Sequence, residues 1–251
     1  MRQFSSGWSF IRFCESVRHR YRYARVAEVD EFLAALAESS ETRVRSIPID
    51  SLYWRAQLGT AIAERKIEDS DLTVYCQVDI PLSAERMVPL RYSAHEGRVN
   101  PKGIPCLYLA TDKETAMSEV RPWNGAKISI ATFNTTRVLR VVDCTLHHNV
   151  RRVTDVLLGE PSPEEITEGV WAQVDQGFSE PVNDEPATAE YAPTQIMAEA
   201  FRQAGFDGVV FRSRLGSGFN LALFDLDSAK LSNRALFKVE AIDYHFVEEL
   251  P

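Results

Sequence analysis

The β-type runs of this 251-residue chain come side by side rather than alternating with helices, and this constrains the fold more than any other feature. KISIATF is followed by VLRVVD, and VVFRS by LALFD, each with only a short connection between its members. A doubly wound parallel sheet needs a helix between successive strands, so the pattern points to an α+β arrangement. No G-x-G-x-x-G joins a strand to a helix, and the GSG at 216–218 reads as the loop after VVFRS. A Rossmann dehydrogenase is therefore a poor fit.

Helical spacing marks other stretches. Phe10, Phe13, Cys14, Val17 and Tyr21 recur with a helical period, and VDEFLAALAE continues the pattern at 29–38. Residues 1–46 are read as a small helical appendage, and residues 47–251 as the main domain. The polar SSETRVRSIP separates the two, and SLYWRAQL opens the β-rich part. Two helices bury too little surface to stand alone, so the appendage is expected to dock on its host. Further on, SPEEITEGVWAQVDQ begins with Ser162, Pro163 and Glu165, a cap, a first-turn proline and a capping-box acid. PTQIMAEAFRQAG is a second helix ending at Gly205, and EPVNDEPATAE at 180–190 reads as an exposed loop.

Composition excludes several classes of function. The chain is 45% hydrophobic and 25% charged, but no apolar run approaches the roughly 20 residues that span a bilayer. The amino terminus lacks a secretory signal, and a cytoplasmic protein without membrane attachment is expected. A net charge of −8 argues against nucleic acid as a partner, although Arg18, Arg20, Tyr21, Arg22 and Tyr23 make one basic and aromatic patch. Cys14, Cys76, Cys106 and Cys144 form no C-x-x-C pair and are read as free thiols. The five histidines, His147 and His148 among them, lack metal-ligand spacing, so no metal is expected.

One stretch carries chemistry. LYLATDKETAMSEVRPW, residues 107–123, passes from a strand into a short helix bounded by Pro122. Thr111 and Glu114 have capping-box spacing, which starts the helix at Asp112. At about 100° per residue, Ala116, Met117 and Val120 face the core while Glu114 and Ser118 face away. Glu119 falls between the two faces. A carboxylate there either pairs with a surface arginine or lines a cleft.

Together with LYWRA upstream, GRVNPKG, and FDGVVFRSRLGSGFNLALFD downstream, this stretch resembles the RES-domain family. The resemblance implies an ADP-ribosyltransferase-like fold, with mixed or antiparallel sheets around an NAD cleft. It places the family's arginine, glutamate and serine at Arg55, Glu119 and Ser213, with Tyr108 and Arg98 also on family positions. Arg55 would hold the pyrophosphate through its planar fork, and Glu119 would oppose the positive charge that grows on the ribose as nicotinamide leaves. Tyr108 offers a flat surface to nicotinamide, and Ser213 a hydroxyl to a ribose or phosphate oxygen. Arg98 and Lys102 sit in a loop suited to phosphate, while Asn220 either orients a strand pair or touches ligand.

The resemblance implies a toxin that degrades NAD by hydrolysis or phosphorolysis, using NAD as substrate and no cofactor, and held by an Xre-type antitoxin or another protein inhibitor. Transfer of ADP-ribose to a macromolecule and non-catalytic NAD binding are the alternatives. The residues that precede LYWRA depart from the compact members of the family.

Overall fold

The computed structural model describes residues 2–69, 72–146, 161–180, 189–243, 245 and 247–248. His147, His148 and most of the loop expected at 180–190 lie outside the described residues. The fold is α+β. Eight strands form one mixed sheet: β1 (Val44–Ile47), β2 (Leu52–Leu58), β5 (Leu107–Ala110), β6 (Lys127–Thr135), β7 (Leu139–Asp143), β8 (Gly208–Arg212), β9 (Phe219–Leu223) and β10 (Ala229–Lys238). Their spatial order is β1-β7-β8-β9-β5-β2-β6-β10, and only β7 and β8 run parallel. Strands β3 (Ala61–Asp69) and β4 (Leu72–Ile80) pair only with each other, as a hairpin outside the sheet. The helices are α1 (Ser9–His19), α2 (Ala27–Ser40), α3 (Lys113–Glu119), α4 (Pro163–Ser179) and α5 (Ala192–Gln203).

Alternation along the central strands gives the sheet two apolar faces. Val209, Phe211 and Ala222 join the core beneath the helices, whereas Val210, Leu221 and Leu223 join a second core with Met87, Phe133 and Leu139. Burial on both sides explains why VVF and LAL are continuous apolar runs. The helix ends follow local chemistry. Ser162 and Glu165 close a reciprocal capping box on α4, and Gly205 takes φ 84° just beyond α5. For α3 the cap is Asp112 rather than Thr111, because the Asp112 carboxylate accepts from the Thr115 amide at 2.7 Å.

Helices α1 and α2 share a core with α4 and α5. Phe13, Val17, Phe32 and Leu36 belong to the cluster that contains Trp171 and Phe201. Phe13 stacks on Phe32 with ring centroids 4.4 Å apart, and Trp171 Nε1 donates to Ser39 Oγ at 3.1 Å. Tyr21, expected on this face, lies past the end of α1 and is exposed.

The stretch SSETRVRSIP is not a linker. Its serines close α2, Glu41–Arg43 form a 3₁₀ turn, and Val44–Ile47 pair with β7 as an edge strand. Its polarity misleads because Arg43 is buried with its guanidinium 4.4 Å from the centroid of the Trp171 ring. Burial draws the Arg43 pKa down to about 10. A division at residue 46 runs through β1.

Of the four free cysteines, Cys14, Cys106 and Cys144 are buried and Cys76 is partly exposed. Burial pushes the Cys14 and Cys106 thiols up to about 12, which disfavours the reactive thiolate. No described helix is long and apolar enough to cross a membrane.

The aromatic cluster gives a direct test of the shared core. Phe32 also meets Phe4 and Phe10, so Phe32→Ala should lower unfolding free energy by about 3–5 kcal/mol. Urea unfolding followed by tryptophan fluorescence reads this through Trp171; an effect below about 1 kcal/mol would show that α1 and α2 are peripheral.

Candidate functional site

Strand β2 pairs with β6 along its whole length but meets β5 at a single position, Trp54 opposite Ala110. Beyond that point the two strands separate and leave a notch in the sheet. Arg55 fills part of it: Nη1 donates to the Tyr108 carbonyl at 3.1 Å, replacing a ladder partner for that oxygen. Its Nε is buried and has no hydrogen-bond partner among the described residues. Desolvation lowers the Arg55 pKa from its ordinary value, although a guanidinium keeps its proton. The notch therefore holds a half-buried cation whose buried Nε has hydrogen-bonding capacity to spare.

A cleft of about 310 Å³ opens beside the notch, on the helix face of the sheet. Arg55, Arg98, Tyr108, Glu119 and Asn220 all line it. Sequence register explains the convergence on the sheet side. Tyr108 pairs with Ala222, Ala110 with Asn220, and Asn220 with Phe211, so these side chains share one face. Asn220 is the polar residue in this apolar row. Glu119 comes from above, as the last residue of α3. Ala116 is buried, and Met117 and Val120 pack on the same cluster, which leaves the carboxylate half-buried at the cleft wall. Arg121 follows in the left-handed region at φ 47°, a conformation usually given to glycine after a helix.

The carboxylate is held asymmetrically. Ser213 Oγ and Asn220 Nδ2 each donate to Glu119 Oε1 at 2.7 Å. Oε2 has no hydrogen-bond partner among the described residues and is the oxygen left for a ligand. Ser213 is fully engaged, because its oxygen also accepts from the amides of Leu215 and Gly216 at 3.1 and 2.9 Å. A hydroxyl has one proton and two lone pairs, so Ser213 has nothing over for a phosphate or ribose oxygen. It orients Glu119 instead.

The loop that carries Ser213 is clamped to the first turn of α3. Thr115 Oγ1 accepts from the Gly218 amide at 3.0 Å and donates to Asp112 at 2.9 Å, while Thr111 Oγ1 accepts from the Phe219 amide at 2.9 Å. The approach is too close for a side chain: a Cβ at Gly218 would lie 2.0 Å from an Asp112 carboxylate oxygen, and one at Gly216 would lie 2.6 Å from Thr115 Oγ1. The two glycines of GSG serve contact, not only turning.

Across the cleft, the Tyr108 hydroxyl donates to Asn100 Oδ1 at 2.7 Å and accepts from the Val99 amide at 2.9 Å. Burial pushes its pKa well above the ordinary value, so it stays neutral. Only the ring of Tyr108 is offered to a ligand. Gly97 allows this approach, since a Cβ there would meet the hydroxyl at 2.6 Å. Arg98 donates to the Phe178 carbonyl at 3.0 Å and still lines the cleft. Lys102 is exposed and does not line it.

Sequence reasoning missed Asn100, Thr111 and Thr115, which position the site, and Tyr191, which lines it. Asn100 and Thr111 lie inside segments already singled out. Nothing in the sequence distinguishes Tyr191, which reaches the cleft through the packing of α5.

This architecture defines an α+β protein whose cleft lies where a mixed sheet splits, with a clamped carboxylate and two half-buried arginines in its wall. The chain belongs to the RES-domain family, which matches residues 77–246. That span contains Arg98, Tyr108, Glu119, Ser213 and Asn220 and starts after Arg55. Comparison with curated proteins gives no match. A similar solved structure is that of the M. tuberculosis MbcT-MbcA toxin-antitoxin complex, at 17% identity over 80% of this chain and 91% of that chain, with a TM-score of 0.40.

The clamp is testable apart from activity. Gly218→Ala must push the loop off α3 and should cost about 1–3 kcal/mol in urea unfolding. Gly218 lies outside the left-handed region, so a loss there reports the contact and not backbone strain. A loss below about 0.5 kcal/mol would refute the contact.

Proposed function

We propose that this chain is a toxin-type enzyme that cleaves the nicotinamide–ribose bond of NAD and thereby depletes it. The observation that carries the reading is the asymmetric hold on Glu119, with Oε1 fixed by Ser213 and Asn220 and Oε2 free in a cleft floored by Tyr108. Membership of the RES-domain family supports the same reading.

In the proposed reaction the C1′–N bond breaks and its electron pair leaves with nicotinamide, which departs neutral. Positive charge spreads over C1′ and the ring oxygen of the ribose, as in other glycosidic cleavages. Glu119 Oε2 accepts a hydrogen bond from a ribose hydroxyl and opposes that charge. Because the charge is larger in the transition state than in bound NAD, the interaction lowers the barrier and not merely KM. A carboxylate already fixed by two donors needs little reorganisation at that moment. Arg55 and Arg98 supply cations for the phosphates, and the Tyr108 ring supplies a surface for nicotinamide. Water or inorganic phosphate then attacks C1′, giving ADP-ribose or its 1-phosphate.

An enzyme of this kind acts where NAD is abundant, in the cytoplasm, and needs restraint there. A protein inhibitor is the corresponding partner, with an Xre-type antitoxin as the family's example.

Purified protein incubated with NAD, with and without phosphate, should release nicotinamide, and the second product identifies the acceptor. Folded protein that releases none under either condition would sink the proposal. Glu119→Gln should reduce kcat by about 10²–10³-fold, the scale of losing a preorganised electrostatic contact. Ser213→Ala removes one charge-assisted hydrogen bond from Oε1 and should reduce kcat by about tenfold to a hundredfold with little change in KM. A rise in KM at constant kcat would instead mean that Ser213 binds substrate directly.

A further inference from the structure

A second cavity, of about 410 Å³, lies on the other side of the notch. Arg55 and Tyr108 stand in its wall as well as in the wall of the Glu119 cleft, so the two spaces meet at these residues. The remainder comes from Gln57 of β2, the 85–96 segment between β4 and β5, Asn100 and Cys106. That segment is anchored. Met87 is completely buried in the core of the opposite sheet face, with Val88 packed beside it, and Leu82 donates its amide to Ser129 Oγ at 2.9 Å. The cavity is therefore built on a fixed support.

Its chemistry is divided. Val88, Pro89 and Leu90 give one side an apolar surface, and Leu90 is exposed. Arg86 sits in the same wall with an exposed guanidinium that makes no hydrogen bond or ion pair among the described residues, and Glu85 and Glu96 add carboxylates to that wall. At the junction with the first cleft is Arg55, whose buried Nε has no partner. The Arg86 guanidinium, the spare Nε of Arg55 and an apolar wall suit a nucleoside phosphate, with cations for the phosphate and an apolar surface for the base. Each cavity lies near the lower end of the volumes that enclose small ligands, about 300–1,000 Å³, and is suited to one half of a dinucleotide.

We propose that the 85–96 cavity is the subsite for the nucleotide half of NAD that is not cleaved. Arg55 contacts the phosphate bridge at the notch, Arg86 supplies the second cation, and Val88 and Pro89 face the base. The dinucleotide thus runs through the split between β2 and β5, which fixes the direction in which its nicotinamide end enters the Glu119 cleft. This inference rests on the NAD reading for the identity of the ligand, whereas the cavity and its arginines stand without it.

The test compares NAD with nicotinamide mononucleotide, which has the same scissile bond and lacks the adenylate half. In wild type, kcat/KM should favour NAD, and Arg86→Ala should reduce that preference about tenfold, the equivalent of one charge-assisted contact of roughly 1.4 kcal/mol. Arg86→Lys should recover part of it. A preference unchanged by Arg86→Ala overturns the proposal, as does a wild type that uses both substrates equally. Calorimetric titration with adenosine monophosphate separates this outcome from failure of the NAD reading. Binding weakened about tenfold by Arg86→Ala supports the subsite even where no nicotinamide is released. Absence of adenosine monophosphate binding to folded wild type overturns it.

Discussion

Two threonine hydroxyls, Thr111 and Thr115, hold the turn after β8 against the first turn of α3, and the rest of the site depends on that clamp. It joins segments a hundred residues apart in sequence. Once Gly218 is drawn onto Thr115, Ser213 is fixed at the far end of the same short loop and its hydroxyl falls within reach of Glu119. Asn220 follows two residues later, on the sheet face that looks toward the same carboxylate. A helix of 7 residues would be marginal alone, yet α3 is held at both ends. Asp112 caps its start, and the left-handed Arg121 before Pro122 stops it. Glu119 is thus placed by the clamp at one end and by the forced stop at the other.

The second constraint is the separation of β2 from β5. A continuous ladder would leave no room for a ligand at the centre of an eight-stranded sheet. Because pairing is confined to Trp54 and Ala110, the Tyr108 carbonyl lacks a ladder partner on β2, and Arg55 occupies the gap by bonding it. Burying a guanidinium is costly unless its donors are used. The remaining buried Nε makes the notch receptive to an anion, and its desolvation strengthens any such contact. The bond that bridges the gap and the spare donor therefore come from the same residue.

The helical half of the molecule supports the site from behind. Phe211 lines the cleft and also belongs to the cluster that includes Phe178 and the residues of α1 and α2. The Arg98 guanidinium is tied to the Phe178 carbonyl at the end of α4. The amino-terminal helices reach the chemistry through this shared core, without adding a side chain to the cleft.

Local rules made much of this legible in the sequence. The capping box at Ser162, the stop at Gly205 and the continuous apolar runs of β8 and β9 depend on neighbours in the chain, and they read correctly. The border position of Glu119 followed from helical periodicity, and the order of short motifs pointed to the family. The β3–β4 hairpin, strand β10 and edge strand β1 were not read. Their residues are mixed in polarity because they pair at edges or outside the sheet, where no buried face enforces a pattern. Nor could the sequence choose between a surface ion pair and a cleft for Glu119, and for Ser213 it pointed to a ligand contact and not to the bond with Glu119. Those roles depend on which long-range partners fill a few lone pairs and protons. Sequence by itself determined the elements with a buried face and the residues capable of the chemistry. The tertiary structure decided that the Ser213 proton goes to Glu119, because only packing of the 213–218 loop against α3 brings the two within 2.7 Å.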